Sequence, residues 1–127
     1  MDNQEKKSIV EKYFEAYNEF DVDKMVSYLH EDVEFRNISQ GHVTLALNGK
    51  KSFTNQARQA VSLFEKRELK IDEIEFEDDV ADIKINFMGI LALDVPEGPS
   101  KGEKVELKGR TVLKFKDDKI SSIEDIS

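Results

Sequence analysis

The sequence predicts an α+β domain in which three helices precede a set of antiparallel strands. Apolar residues recur at helical spacing in three segments before residue 65. From Leu69 onward the apolar pattern changes to a period of two, which is typical of strands. The length of 127 residues favours a single domain over residues 1–127, because compact domains most often contain about 100 to 150 residues.

The first helix is predicted over residues 5–20, and a second, shorter helix follows Asp21 and ends near His30. The apolar face of the first helix contains Ile9, Val10, Tyr13, Phe14, Ala16, Tyr17 and Phe20. The second helix repeats this spacing at Val22, Met25, Val26 and Leu29. Asp2 and Glu5 resemble a capping box, in which side chains satisfy the free amide groups of the first turn.

A strand and then a loop are predicted between the second and third helices. Val33 and Phe35 alternate with charged residues, so Phe35 and Asn37 share one face of this strand. A loop through Gly41 and Gly49 leads to the third helix. The apolar face of the third helix contains Phe53, Ala57, Ala60, Val61 and Phe64.

The remaining strands predict a curved sheet. Leu69 and Ile71 share one face of their strand, but Ile74 has the opposite parity. One residue near Asp72 or Glu73 must therefore form a bulge, or the strand must bend. Both devices increase the local twist and so curve the sheet.

The next strand is predicted over residues 80–95, and its middle is apolar on both faces. One face carries Ile83, Ile85, Phe87, Leu91 and Leu93. The opposite face carries Met88, Ile90 and Ala92. Since a sheet face in water is normally polar, we expect something to cover this second face. Turns at residues 96–102 and 116–119 lead into the last two strands, 105–115 and 120–126.

The charge of the chain argues against two classes of partner. There are 27 acidic and 19 basic residues, which gives a net charge of -8 and a pI near 4.8. Such a charge repels phosphate backbones and anionic lipids, so we expect neither nucleic-acid nor membrane partners. The longest apolar stretch, Phe87 to Leu93, is also far shorter than the ~20 residues of a membrane-spanning helix.

Cysteine and histidine are scarce. The chain has no cysteine and two histidines, which excludes disulfides, thiolate metal sites and a cysteine nucleophile, and makes a histidine-based zinc site improbable. A cysteine-free sequence is expected in a reducing compartment. We therefore predict a cytoplasmic protein with no metal site and no cofactor.

Several segments resemble one known family. Val10 to Asn18, Asp21 to Leu29 and Glu31 to Phe35 look like the opening of the SnoaL-like polyketide cyclases and ketosteroid isomerases. These proteins belong to the nuclear transport factor 2-like superfamily. Leu47 to Lys51 resembles the family's entry into the third helix, and Gly109 to Ile120 resembles its closing hairpin. The resemblance covers essentially the whole chain.

The resemblance implies a cone-shaped, cystatin-like architecture. A strongly curved antiparallel sheet would wrap around three N-terminal helices, with a pocket for a small-molecule ligand opening between them. Dimers of the family pack through the outer face of this sheet. We therefore expect a homodimer through the face that carries Met88, Ile90 and Ala92.

The resemblance also suggests positions for catalytic residues. Isomerases of this family remove a proton beside a ketone with a carboxylate, and they stabilise the enolate with a tyrosine and a neutral carboxylic acid. By position, these three groups fall on Tyr13, Asn37 and Thr111 respectively, and the acid of the polyketide cyclases also falls on Thr111. Only Tyr13 matches, because asparagine does not accept a proton near pH 7 and threonine is a weaker donor than a carboxylic acid.

Two other relatives use different chemistry. Limonene epoxide hydrolase has an acid two residues after an arginine on one strand, but here Val112 follows Arg110 at that spacing. Dehydratase relatives rely on pocket histidines, for which this chain offers His30 and His42. We expect His30 to have a surface or capping role at the end of the second helix. His42 precedes the third helix and is either a solvated loop residue or a proton-transfer group over the pocket mouth.

Two functions therefore remain open. The first is a dimeric domain that binds a small, mostly apolar molecule, with isomerase, cyclase or dehydratase activity and Tyr13, Asn37 and His42 as candidate catalytic residues. Its predicted ligand-binding residues are Tyr13, Tyr17, Asn37, Phe87 and Thr111. The second is a non-catalytic binding or protein-interaction module in which Tyr13, Asn37 and Thr111 are structural. A titratable group turned inward near Tyr13, such as His42 or Asp94, would favour the enzyme.

Overall fold

Three helices and one six-stranded sheet make up the fold, as seen in a computed structural model that describes residues 1–127. In chain order the elements are α1 (Asn3–Asn18), α2 (Val22–Ser27), β1 (Leu29–Ser39), β2 (His42–Asn48), α3 (Lys50–Val61), β3 (Phe64–Glu77), β4 (Val80–Leu91), β5 (Lys104–Lys116) and β6 (Lys119–Ile126). The α+β class predicted from the sequence is confirmed. None of the three helices has the length and hydropathy needed to span a bilayer.

Side-chain caps fix the start of the first two helices. The Asp2 carboxylate accepts a hydrogen bond from the Glu5 amide at 2.8 Å. The Asp21 carboxylate accepts one from the Lys24 amide at 3.0 Å. Caps of this kind stabilise a helix by about 1 kcal/mol each.

The second helix is shorter than predicted. α2 ends at Ser27, and His30 belongs to β1 instead of closing the helix. The reason is that Leu29 is already extended and buried, since it pairs with Ile120 of β6. The His30 side chain lies near the surface, where its Nε2 is 3.3 Å from Oδ2 of the exposed Asp117.

The segment between Gly41 and Gly49 is largely a strand, whereas the sequence predicted a loop. β2 pairs antiparallel with β1, and Leu47 lies opposite Phe35. The two glycines mark the ends of this strand, with positive φ angles of 81° and 89°. The loop prediction was wrong. The two glycines indicate turns, and the alternation of apolar residues between them, at Leu45 and Leu47, is too short to predict a strand by itself.

The sheet is mixed, which corrects the prediction of a fully antiparallel sheet. Its strand order is β2-β1-β6-β5-β4-β3. All neighbouring strands are antiparallel except β1 and β6, which run parallel. This follows from topology, because β1 lies between its hairpin partner β2 and the last strand, whose direction the β5–β6 turn has already set.

The predicted bulge in β3 is confirmed. The pairing of β3 with β4 shifts by one residue between Ile71 and Glu73. This shift allows Leu69 and Ile74, which have opposite parity in the sequence, to face the same side of the curved sheet.

The helices pack against the concave face of the sheet. The main core contains Val10, Tyr13, Phe14, Ala16, Met25, Leu29, Val33, Phe53, Ala81, Ile83, Ile85, Leu113, Phe115, Ile120 and Ile123. Burying each large apolar side chain stabilises the fold by about 1.5 to 3 kcal/mol. Packing is less complete further along β4 and β5, where Phe87 is partly buried and Leu107 is 41% exposed.

The convex face of the sheet is more charged than the sequence of β4 alone suggested. Met88 and Ile90 are half-buried on this face, and Ala92 lies beyond the end of β4 at Leu91. Their neighbours on the two adjacent strands are Lys66, Glu68, Lys104 and Glu106. A lysine row thus lies beside a glutamate row, so that a two-fold axis could place the lysines of one copy against the glutamates of another.

We expect the chain to form a homodimer through this convex face. Sedimentation velocity at micromolar concentration should give the mass of two chains. Ile90→Glu should give monomers, because its negative charge lies between Lys66 and Lys104 and offsets their positive charge. It also replaces one of the apolar side chains that would be buried in the dimer. Val43→Glu, at a residue of β2 that is 55% exposed, should leave the dimer unchanged. A wild-type monomer would contradict the expectation.

Candidate functional site

Two adjoining cavities lie between the helices and the concave face of the sheet. The helix-side cavity, of about 340 Å³, lies among α1, α3, β1, β2 and β3. The strand-end cavity, of about 270 Å³, lies between α1 and strands β1 and β3 to β6. The residues Tyr13, Tyr17, Asn37 and Asp125 line both cavities. Taken together, the cavities fall in the usual range for small-molecule sites, about 300 to 1,000 Å³.

Asp125 is the acidic group where the two cavities meet. It follows Ile123 by two residues on the inward face of β6, and it lies opposite Thr111 of β5. Thr111 Oγ1 donates a hydrogen bond to Asp125 Oδ1 at 2.9 Å. Burial raises the pKa of Asp125 from 3.8 to about 6, and the hydrogen bond from Thr111 partly opposes this shift. Asp125 therefore changes charge close to neutral pH, while part of its surface faces the cavities.

Tyr13 and Tyr17 reach the same junction from α1. Burial raises the pKa of Tyr13 well above its usual 10.0, and the nearby Asp125 raises it further. Burial also raises the pKa of Tyr17 to about 12. Both phenols therefore stay protonated at physiological pH and can donate hydrogen bonds. Tyr13 is 5% exposed. Its hydroxyl forms no hydrogen bond within the chain, but it keeps some accessible surface where Tyr13 lines the cavities, so it can bind a ligand.

Arg67 supplies the positive charge of the helix-side cavity. It lies on the inward face of β3 and is 3% exposed. Its Nε donates a hydrogen bond to the Tyr17 carbonyl oxygen at 2.8 Å, and its guanidinium carbon lies 3.7 Å from the centroid of the Tyr17 ring. Burial lowers the pKa of Arg67, but an arginine side chain remains charged in proteins.

The polar groups of Asn37 and Thr111 bind other residues. Asn37 Nδ2 donates a hydrogen bond to Thr44 Oγ1 at 2.8 Å, while the Thr111 hydroxyl binds Asp125. Tyr13, Asn37 and Thr111, the three positions that the resemblance to isomerases suggested, therefore do not form one hydrogen-bond network. The Asn37 amide binds Thr44 of β2, the Thr111 hydroxyl binds Asp125, and the Tyr13 hydroxyl has no hydrogen-bond partner within the chain.

The structure places the predicted ligand-binding residues around the cavities. Tyr13, Tyr17 and Asn37 line both cavities, and Phe87 and Thr111 line the strand-end cavity. Their binding roles stay predictions. His42 lines neither cavity, because the loop expected to carry it over the pocket is the start of β2, where it is exposed. Asp94 is likewise exposed, in the loop after β4.

Two charged cavity residues were missed in the sequence. Asp125 shares the parity of Ile123, and Arg67 shares the parity of Leu69, so a period of two would have placed both on the inward face. The pattern of the last strand predicts no single inward face, because Ile120, Ile123 and Ile126 do not share one parity. The strand of Arg67 was expected to begin only at Leu69.

The arrangement is suited to proton transfer on an apolar molecule. It combines an acid that titrates near neutral pH, two protonated phenols and one guanidinium with mainly apolar walls. Such groups can orient a carbonyl or hydroxyl and exchange a proton with a neighbouring atom. No group of three or more histidine, aspartate or glutamate side chains is placed to hold a metal ion.

Comparison with known sequences identifies a matching family. The family model of the SnoaL-like domain matches residues 10–123. Among curated proteins, none matches the sequence.

Solved structures with the same fold are numerous, and three of them illustrate how far their sequences differ from this chain. A protein from Xanthomonas campestris assigned as a polyketide cyclase is 21% identical, with a TM-score of 0.82 over 98% of this chain and 90% of that one. An LEH-like epoxide hydrolase from M. tuberculosis is 20% identical, with a TM-score of 0.77 over 97% and 82%. An uncharacterized cystatin fold protein from Novosphingobium aromaticivorans is 20% identical, with a TM-score of 0.74 over 94% and 96%. These similarities support the predicted fold.

The raised pKa of Asp125 predicts a pH-dependent stability. A pKa of about 6 in the folded chain and 3.8 as the usual value means that the folded state holds this proton more tightly. Asp125 therefore does not destabilise the fold below about pH 4, and its ionisation costs stability as the pH rises through 6. We expect Asp125→Asn to be more stable than the wild type at pH 8 by about 1 to 3 kcal/mol.

Urea unfolding followed by circular dichroism from pH 4 to pH 8 would measure this difference. Asp118→Asn removes the same charge from an exposed turn and should show no comparable pH dependence. An Asp125→Asn variant that is equally destabilised at every pH would contradict the prediction.

Proposed function

The chain belongs to the SnoaL-like domain family, and from this premise we propose that it binds a small, mostly apolar molecule in its two cavities and transfers a proton on that molecule. Such chemistry includes isomerase, cyclase and dehydratase reactions. The observation that carries the proposal is Asp125, a cavity acid with a pKa of about 6 beside the protonated Tyr13. We further propose a cytoplasmic location, supported by the cysteine-free, acidic sequence.

Asp125 has the properties of a general acid and base. A proton-transfer group works best when its pKa lies near the working pH. Thr111 Oγ1 donates a hydrogen bond to Oδ1 of this carboxylate at 2.9 Å. Oδ2 accepts no hydrogen bond within the chain, so it is the oxygen that we assign to take the proton.

Tyr13 would stabilise the charge that the proton transfer creates. When Asp125 removes a proton from a carbon beside a carbonyl group, the electron pair moves to the carbonyl oxygen. The free phenol of Tyr13 can donate a hydrogen bond to this oxygen, and donors aimed at developing charge are among the strongest catalytic contributions. Asp125 then returns the proton to another carbon or to a leaving oxygen.

A non-catalytic binding module is the second candidate. It is favoured by the internal hydrogen bonds of Asn37 and Thr111, which stand where the resemblance to isomerases would put the two catalytic acids. In that case Asp125 and Tyr13 would only orient a bound molecule. The two candidates differ in whether a bound carbon acid loses its proton.

Deuterium exchange of 2-tetralone, a small apolar ketone, would distinguish the two functions. We expect the wild type to accelerate loss of the proton signal beside the carbonyl in D₂O, measured by NMR. The rate should rise with pH through about 6 as Asp125 ionises. Asp125→Asn should reduce the catalysed rate by about 10² to 10⁴, and Tyr13→Phe should reduce it by about 10².

Tyr28→Phe is a matched control, since Tyr28 packs against the core and lines neither cavity. This variant should exchange 2-tetralone at the wild-type rate. Binding of 2-tetralone without accelerated exchange would support the non-catalytic module. Absence of both binding and exchange would count against a cavity for apolar ketones.

A further inference from the structure

The guanidinium group of Arg67 is held rigidly inside the chain. Its Nε donates a hydrogen bond to the Tyr17 carbonyl oxygen at 2.8 Å. Its central carbon lies 3.7 Å from the ring centroid of Tyr17 and 4.7 Å from that of Phe20. These contacts fix both the position and the plane of a cation that is 97% buried, since its exposed fraction is 3%.

One nitrogen of this cation has no partner. Arg67 Nη2 is buried and forms no hydrogen bond, and it is the only buried side-chain nitrogen or oxygen in the chain of which this is true. A buried donor without an acceptor is costly, and more so when it is charged. Contacts with the aromatic rings stabilise the charge but leave this hydrogen bond unmade.

The helix-side cavity is where an acceptor could reach Arg67. Arg67 is the one basic residue among those that line this cavity, and most of the others are apolar. Phe35, Leu45, Leu47, Phe53, Ala57 and Phe64 are among its apolar walls. A molecule that satisfies both features has an apolar body and one anionic oxygen group.

We propose that the helix-side cavity selects an apolar carboxylic acid, whose carboxylate binds the guanidinium of Arg67. A carboxylate matches the planar fork of a guanidinium. A single arginine in an apolar cavity fits this monoanion better than a phosphate, which carries more charge and needs more donors. The proposal rests on the proposed function, because it names the substrate class of the same cavities.

This anchoring would orient the substrate toward the proposed proton-transfer groups. Tyr13 and Asp125 line the same cavity as Arg67. Asp125 raises the pKa of Tyr13 and Arg67 lowers it, so the Tyr13 hydroxyl lies near both a negative and a positive group. A carboxylate held at Arg67 leaves the remainder of the molecule to extend along the apolar walls toward Tyr13 and Asp125.

Two matched probes test the proposal, 2-naphthoate and the neutral 2-acetonaphthone. They share the same ring system and a carbonyl oxygen, and they differ in the negative charge. Equilibrium dialysis at pH 5.5 keeps Asp125 mostly protonated, so that it does not repel the carboxylate; the other groups facing it, Tyr13, Tyr17 and Thr111, do not titrate there. We expect the wild type to bind 2-naphthoate at least tenfold more tightly than 2-acetonaphthone.

Variants assign this preference to Arg67. Arg67→Met keeps a long side chain and should abolish the preference while retaining 2-acetonaphthone binding, whereas Arg67→Lys should keep part of it. Arg58→Gln, in an exposed ion pair with Asp23, removes the same charge outside the cavities and should bind both probes like the wild type.

The outcomes separate this proposal from the proposed function. Equal affinity of the wild type for both probes would overturn carboxylate selection and leave apolar binding in the cavities intact. A preference that persists in Arg67→Met would overturn the role of Arg67. If neither probe binds, the proposed function fails together with this inference. If Arg67→Met does not fold, the affinities of the wild type and of Arg67→Lys for the two probes still test the proposal. A preference for 2-naphthoate that is the same in both proteins would then overturn the role of the Arg67 guanidinium.

Discussion

The parallel pairing of β1 with β6 is the constraint on which the site depends. It joins a strand from the first third of the chain to the last strand, with Phe35 opposite Ile123 and Asn37 opposite Asp125. Without this pairing, β1 and β2 would be a separate hairpin carrying α3. With it, α3 and α1 are brought over the same concave face, and the space between them becomes the helix-side cavity.

The two charged groups of the cavities, Asp125 and Arg67, reduce the stability of the folded chain. Asp125 ionises only at a raised pKa, because it is buried with a single hydrogen-bond donor. Arg67 keeps a charge with one nitrogen unpaired. Apolar residues at these two positions would extend the apolar core. Groups that cost stability and face a cavity are characteristic of functional sites.

The family resemblance and the site chemistry give different information. The fold of SnoaL-like proteins is shared by structures named as polyketide cyclases and epoxide hydrolases, at about one-fifth sequence identity, and a fold of this kind supports many activities. In this chain the acid is Asp125 on the last strand, while Asn37 and Thr111 occupy the positions suggested by the isomerases. The cavity chemistry therefore has to be derived from this chain's own residues.

Local patterns in the sequence determined the three helices, the bulge near Asp72, the α+β class and the inward position of Tyr13. These features depend on residues close together in the chain, since caps, helical spacing and strand parity act over a few residues. The tertiary structure decided that residues 42–48 form a strand, that β1 runs parallel to β6, and that Asp125 and Arg67 share one cavity. Each of these depends on pairing between distant segments, whose register and direction are set by the packing of the whole sheet and not by the residues of either segment alone.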